Sequence, residues 1–174
     1  VSTQSTGRLT EFNNQQTISY EQKIFYGQSE TNINLLLLRL MNSGTEATVV
    51  EAGFVILFRV ISVHDFNSFT KYNAHKLLLG CLVLANIQFE DDTVTLPRWQ
   101  RMTNYTWTLD DMKMIIMEML AACKFQLLVD EIELKMLNEL ILTPFYHNQL
   151  NLENIIEFTK YEEQILLKNQ QLEK

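Results

Sequence analysis

Glycine and proline are scarce in this chain. Its 174 residues hold five glycines and two prolines. A β-sandwich needs turn residues every ~8–12 positions, and a βαβ fold needs them at each crossover. So few breakers exclude both and leave a helical protein. Cysteine is also scarce. Cys81 and Cys123 cannot build a disulfide framework, and a reducing compartment is expected. Basic charge is in deficit: 14 Lys+Arg stand against 21 Asp+Glu, a net charge of −7. A nucleic-acid binder presents a basic face, and no stretch here offers one of any size. No segment reaches the ~18 apolar residues that a bilayer span requires. The longest dense run, Leu77 to Ala85, is interrupted only by Gly80. The opening Val-Ser-Thr-Gln-Ser-Thr-Gly is polar and has no apolar signal core. The chain reads as cytosolic or nuclear, and an organellar protein stripped of its transit peptide would read the same.

What is present is apolar mass. Hydrophobic residues make up 47% of the chain, enough for the core of one domain with tails. Residues 1–30 are rich in Gln, Asn, Ser and Thr, with Phe12, Ile18, Tyr20, Ile24, Phe25 and Tyr26 among them. They read as a polar arm that lies on the domain or on a partner. Residues 31–145 read as a helical domain and 146–174 as a C-terminal helix. A short apolar helix over 32–42 stops at Ser43-Gly44. Thr45 is placed to cap the next helix, whose Val49, Val50, Gly53, Phe54, Leu57, Val60 and Ile61 follow a 3.6-residue period. A polar connection covers 63–72. Asn73 caps a third helix to about 87, apolar on every side and therefore surrounded by other elements. A short helix near Trp99–Met102 starts by Pro97. Thr108-Leu109-Asp110-Asp111 has capping-box spacing and opens a helix bearing Met112, Ile115, Ile116, Met119, Leu120 and Cys123. Another helix spans about 130–142 and is closed by Pro144. Asn151 caps the last helix.

Chemistry-bearing patterns are thin. His64, His75 and His147 form no metal-type pair, and neither cysteine is near one. Five scattered glycines make no phosphate-cradling loop. Glu90, Asp91 and Asp92 have the chemistry to chelate a hard cation, but an acidic helix end in water is the simpler reading. Ser62, His64 and Asp65 adjoin in sequence, which does not make a triad. Trp99 and Trp107 read as packing residues. Met114 and Met117 fall off the apolar face of their helix and form a soft contact surface. No catalytic residue, metal site or cofactor is expected.

The blocks in order resemble a known pattern. His75-Lys76-Leu-Leu-Leu-Gly-Cys-Leu-Val-Leu-Ala85 resembles the third helix of a cyclin box, as in single-box cyclins of the P/U type and cyclin Y. Asp91-Asp92 matches the Asp-Asp that follows it there. Trp107-Thr-Leu-Asp-Asp-Met-Lys113 resembles the start of the family's later helix, and Met119-Leu-Ala-Ala-Cys-Lys-Phe125-Gln-Leu127 its end. Gly53-Phe-Val-Ile-Leu-Phe-Arg59 resembles the second helix. The resemblance covers about 35–142. It implies an all-α, five-helix box around a central hydrophobic helix, here with an N-terminal arm and an extra C-terminal helix. It also implies a protein that is no enzyme, and that binds a cyclin-dependent-type kinase and shifts it toward its assembled state.

The departures are specific. Kinase-activating cyclins carry a Lys at the end of the third helix and a Glu early in the fifth. Aligned here, the Lys position falls on Ile87, or on Gln88 with a one-residue insertion, and the Glu position falls on Ile116. Phe58 replaces the acidic residue before Arg59. Lys76 and Glu118 remain nearby, and a shifted register would restore one of the two charges. Two expectations follow. One is a divergent cyclin that docks a kinase through Ile87, Ile116, Met117 and the arm. The other is a cyclin-fold scaffold subunit of a larger assembly without a kinase. The apolar replacements favour a stable, partly hydrophobic interface in either case.

Overall fold

The computed structural model describes residues 33–63, 74–91 and 93–172, and all regular structure among them is helical. In chain order the elements are α1 (Ile33–Asn42), α2 (Ala47–Val63), α3 (Ala74–Phe89), α4 (Leu96–Met102) and α5 (Leu109–Ala122). After these come α6 (Glu131–Leu137), a π-helical segment (Asn138–Leu142), α7 (Thr143–Tyr146) and α8 (Leu152–Leu172). The arm expected over 1–30 lies outside the described residues. So do the Asn73 cap and all of the 63–72 connection except Val63, which is the last residue of α2.

Helix α3 is buried along most of its length, but the hub of the fold is α2, which packs on α3, α5, α6 and α8, whereas α3 packs chiefly on α2 and α5. Ten consecutive or near-consecutive positions from Lys76 to Asn86 are buried, with only Leu77 partly exposed among them. Burial on every side is what its all-round apolar sequence demands. Two glycines set how closely its neighbours approach. A Cβ on Gly53 of α2 would stand 2.7 Å from Leu82 Cδ2 and 3.3 Å from Leu82 Cα. A Cβ on Gly80 of α3 would stand 2.5 Å from Met119 Cγ and 3.0 Å from Ile115 Cγ2 of α5. Both glycines are therefore helical positions chosen for size, where the backbone-entropy cost of glycine is offset by close packing.

Local chemistry accounts for the helix ends. Thr108 Oγ1 accepts from the Asp111 N–H at 3.1 Å, and the Thr108 N–H donates to Asp111 Oδ2 at 3.0 Å, so α5 opens on a capping box with Asp in the third position. Asn154 N–H donates to Asn151 Oδ1 at 3.0 Å, which is the expected cap on α8. Helix α5 closes without glycine: Lys124 and Phe125 both take the left-handed conformation (φ 54° and 61°), and the Phe125 N–H reaches back to the Leu120 carbonyl at 2.8 Å.

Three local expectations need correction. Helix α2 starts at Ala47, and the Thr45 hydroxyl is paired with Ser43 Oγ at 3.1 Å instead of a helix N–H. Pro144 does not close the helix over 130–142. The chain stays helical to Tyr146 because α6 widens into the π segment just before it, and Pro144 falls in the first turn of α7, where no N–H is needed. Glu90 is not a free acidic end, since its carboxylate accepts from the Glu46 N–H at 3.1 Å and from Asn86 Nδ2 at 2.9 Å, tying the end of α3 to the start of α2.

Candidate partner-binding face

The six residues singled out for partner contact lie on α3 and α5, and they divide into two groups. Lys76 enters near the start of α3 and is buried. Its Nζ donates to Glu118 Oε2 of α5 at 2.6 Å. The Glu118 side chain stays 46% exposed, so the pair has one foot in solvent. Met117, next to Glu118, is 59% exposed, and Met114 one turn earlier is also exposed. This end of the face is a charged pair beside a soft thioether surface.

Ile87 and Gln88 lie at the other end of α3. They are eleven and twelve residues beyond Lys76, which is ~16 Å along the axis at the helical rise. Ile87 is 54% exposed. With its amide oxygen and nitrogen exchanged, the orientation that satisfies both neighbours, Gln88 donates to the Leu127 carbonyl and accepts from the Val129 N–H at 3.1 Å. It therefore serves the chain's own backbone, clamping the segment after α5. Leu128, between those two bonds, is the most exposed large apolar residue of the described chain at 80%. Ile116 does not join this surface. It is half-buried and packs against the core. The exposed apolar residues near the candidate positions are thus Ile87, Leu128 and Met117, the charged ones are the Lys76–Glu118 pair, and Ile116 belongs with the core.

The described residues also hold a charge cluster that local spacing did not reveal. Arg59 of α2 is 1% exposed and touches three separate segments. Its Nε donates to Glu162 Oε2 of α8 at 2.8 Å, its Nη1 to the Gln126 carbonyl at 2.9 Å, and its Nη2 to Glu133 Oε1 of α6. Glu133 has a second duty, since its Oε2 accepts from the Asp130 N–H at 2.7 Å in the capping box of α6. Burial works against the Arg59 charge, but the two carboxylates outweigh it and hold the guanidinium above its ordinary value. For Glu162, burial first and the Glu133 charge as well overcome the pull of Arg59 and push the carboxyl up to about 7. Arg59 entered the sequence reading only as the arginine of the second-helix block. A capping-box spacing at Asp130–Glu133 was the available sign that Glu133 was placed for more than solvation.

The other candidates acquire no chemistry. Ser62 Oγ donates to the Arg59 carbonyl at 2.8 Å, and His64 and Asp65 lie outside the described residues. Trp99 is fully buried, as a packing residue should be, and its Nε1 has no hydrogen-bond partner among the described residues. Cys81 and Cys123 are both buried free thiols, and burial pushes each upward and away from reactivity. Among the described residues no group of His, Cys, Asp and Glu is arranged to hold a metal ion, and no helix is long and apolar enough to cross a membrane. Comparison of the chain with known protein families, with curated proteins and with solved structures finds no match.

Proposed function

We propose that this chain is a non-catalytic, cyclin-like binding protein that docks a cyclin-dependent-type protein kinase through a divergent face on α3, α5 and the segment after α5. The observation that carries the reading is the arrangement of α1 to α5. Five helices follow in the chain order that the reading calls for, the third of them is buried along most of its length, and the candidate contact residues lie on one helix pair. An all-helical body of this kind acts by presenting a rigid surface. A partner that binds one kinase conformation better shifts the kinase toward it, and no residue of this chain needs to touch the transferred phosphate.

The surface is apolar where activating cyclins place their charged pair. Ile87 occupies the Lys position and is exposed, while the Lys76–Glu118 pair holds the opposite end of the face. A kinase bound here would be held by apolar burial and shape, with charge-assisted bonds, worth about 1.5–3 kcal/mol each, supplied only at Glu118. The same substitution favours a second reading, a cyclin-fold scaffold subunit of a larger assembly, because an apolar contact without the charged pair needs no kinase opposite it.

The deciding experiment is gentle isolation of the native protein followed by mass spectrometry of what stays bound. One stoichiometric protein kinase, lost on Ile87→Lys, is the expected result. Many structural partners and no kinase would replace the first reading by the second.

A further inference from the structure

Helix α8 is held to the rest of the fold by two kinds of contact on one face. Phe158, Glu162 and Leu166 follow at four-residue spacing, and all three are buried. Phe158 meets Phe58 of α2 edge to ring at 5.0 Å and stacks with Tyr161 at 6.2 Å. Leu166 adds apolar burial. Glu162 is the exception between them, a carboxyl group with no exposure at all.

Its surroundings do not neutralise it. From α2 comes Arg59, the one cation at the junction among the described residues. From α6 comes Glu133 on the same guanidinium, with Asp130 at that helix's cap. Cys123, at the end of α5, is within the field of Arg59, and Tyr161 of α8 feels the same carboxylates. The π segment's one ionisable residue, Glu139, lies exposed against Lys135 at 3.8 Å. One buried positive charge therefore faces two buried carboxylates. Glu133 is fully served, with Arg59 on one oxygen and the Asp130 N–H on the other. Glu162 has Arg59 on Oε2, while its Oε1 is buried with no hydrogen-bond partner among the described residues. The junction balances its charge if one carboxyl carries a proton, and the under-served group is Glu162.

We propose that Glu162 is a proton-operated latch: with its proton, α8 lies closed over α2 and α6; when the proton passes to water, an unbalanced negative charge is left in the junction and α8 opens more readily. The direction follows from linkage. Once α8 is open, Glu162 is solvated and returns to the ordinary carboxylate value of 4.5, against about 7 when closed. The closed form then holds a proton that the open form has released. Closure is firmest below the ordinary value, weakens as pH rises through the window between the two, and is level above it.

The test is hydrogen exchange of the full chain, read by mass spectrometry from pH 5 to 8 and corrected for the intrinsic chemical rate. Peptides from α8 are compared with peptides from α3. The opening constant of α8 is expected to rise by up to about tenfold per pH unit from pH 5 and to level near pH 7, while α3 stays protected. Glu162→Gln should remove the dependence. Glu133→Gln, which leaves one carboxylate per guanidinium, should move the transition to lower pH, and it decides the matter if Glu162→Gln does not fold. Flat α8 protection in the wild type, the same slope in Glu162→Gln, or an equal loss in α3 would overturn the latch.

Discussion

Helix α2 meets its neighbours through two junctions built on opposite physics. Toward α3 the junction is dry and steric: Gly53 lies against Leu82, and what it contributes is the absence of a side chain. Toward α6 and α8 it is charged: Arg59 is buried with Glu133 and Glu162. The first tolerates no added atom. The second does not tolerate loss of its cation. An apolar interface loses stability roughly in proportion to what is removed or forced in, whereas a buried ion cluster fails abruptly when one member goes, because the remaining charges cannot return to water.

Breaking the charged junction should give the largest effect. Arg59→Leu leaves two uncompensated buried carboxylates and frees the Gln126 carbonyl, and a cost of about 3–5 kcal/mol is expected from denaturant unfolding. If the cluster works as a unit, replacing it together should cost less than the single change. Arg59→Met combined with Glu162→Leu should recover part of the loss, because Glu133 retains the Asp130 N–H as a partner. A double variant no better than Arg59→Leu would show that the guanidinium acts mainly by packing.

The steric junction should respond in smaller and graded steps. Gly53→Ala must push against the Leu82 backbone, which cannot rotate away, and about 1–3 kcal/mol of destabilisation is expected. At Gly80 the Met119 thioether can yield, but the β-branched Ile115 methyl at 3.0 Å cannot, so Gly80→Ala should cost at least as much as Gly53→Ala, whose closest obstruction is the flexible end of Leu82. A clearly lower cost at Gly80 in thermal or denaturant melts would mean that α2, and not α5, is the tightly registered neighbour of α3.

The same contrast explains what was readable in the sequence. The steric junction is written in local pattern. Leu77 to Ala85 is apolar on all sides, so α3 had to be buried, and Gly53 and Gly80 stand within the apolar patterns of α2 and α3, although spacing did not mark them as points of close approach. The capping signals at Thr108–Asp111 and Asn151 span three residues and were equally plain. The charged junction joins Arg59 to residues 74 and 103 positions away, and no local period encodes such a meeting. The end of α5 was hidden for another reason: Lys124 and Phe125 take left-handed backbone that a glycine would have announced. Pro144 misled because a π segment shifted the register ahead of it. Of the candidate face, Lys76 with Glu118 and the exposed pair Ile87 and Met117 were within reach of helix spacing. Ile116 stood both among the apolar residues of its helix and at a candidate contact position, and spacing alone does not choose between the two.

The smallest effects separate the partner face from the core beneath it. Ile87 is 54% exposed, and Ile87→Lys should change stability by no more than about 0.5 kcal/mol. Ile116 packs against the core, and Ile116→Glu would half-bury a carboxylate without an assigned partner, at a cost of about 1–3 kcal/mol. The two variants measured singly in the isolated protein therefore should not behave alike, although both introduce a charge at one of the two positions that the proposed reading aligns with a charged pair. If both are neutral, Ile116 is free to turn outward and the contact face widens to include it. If both are costly, Ile87 belongs to the folded body, and the apolar surface that a partner would cover shrinks to Met117, Leu128 and the exposed edge of Glu118.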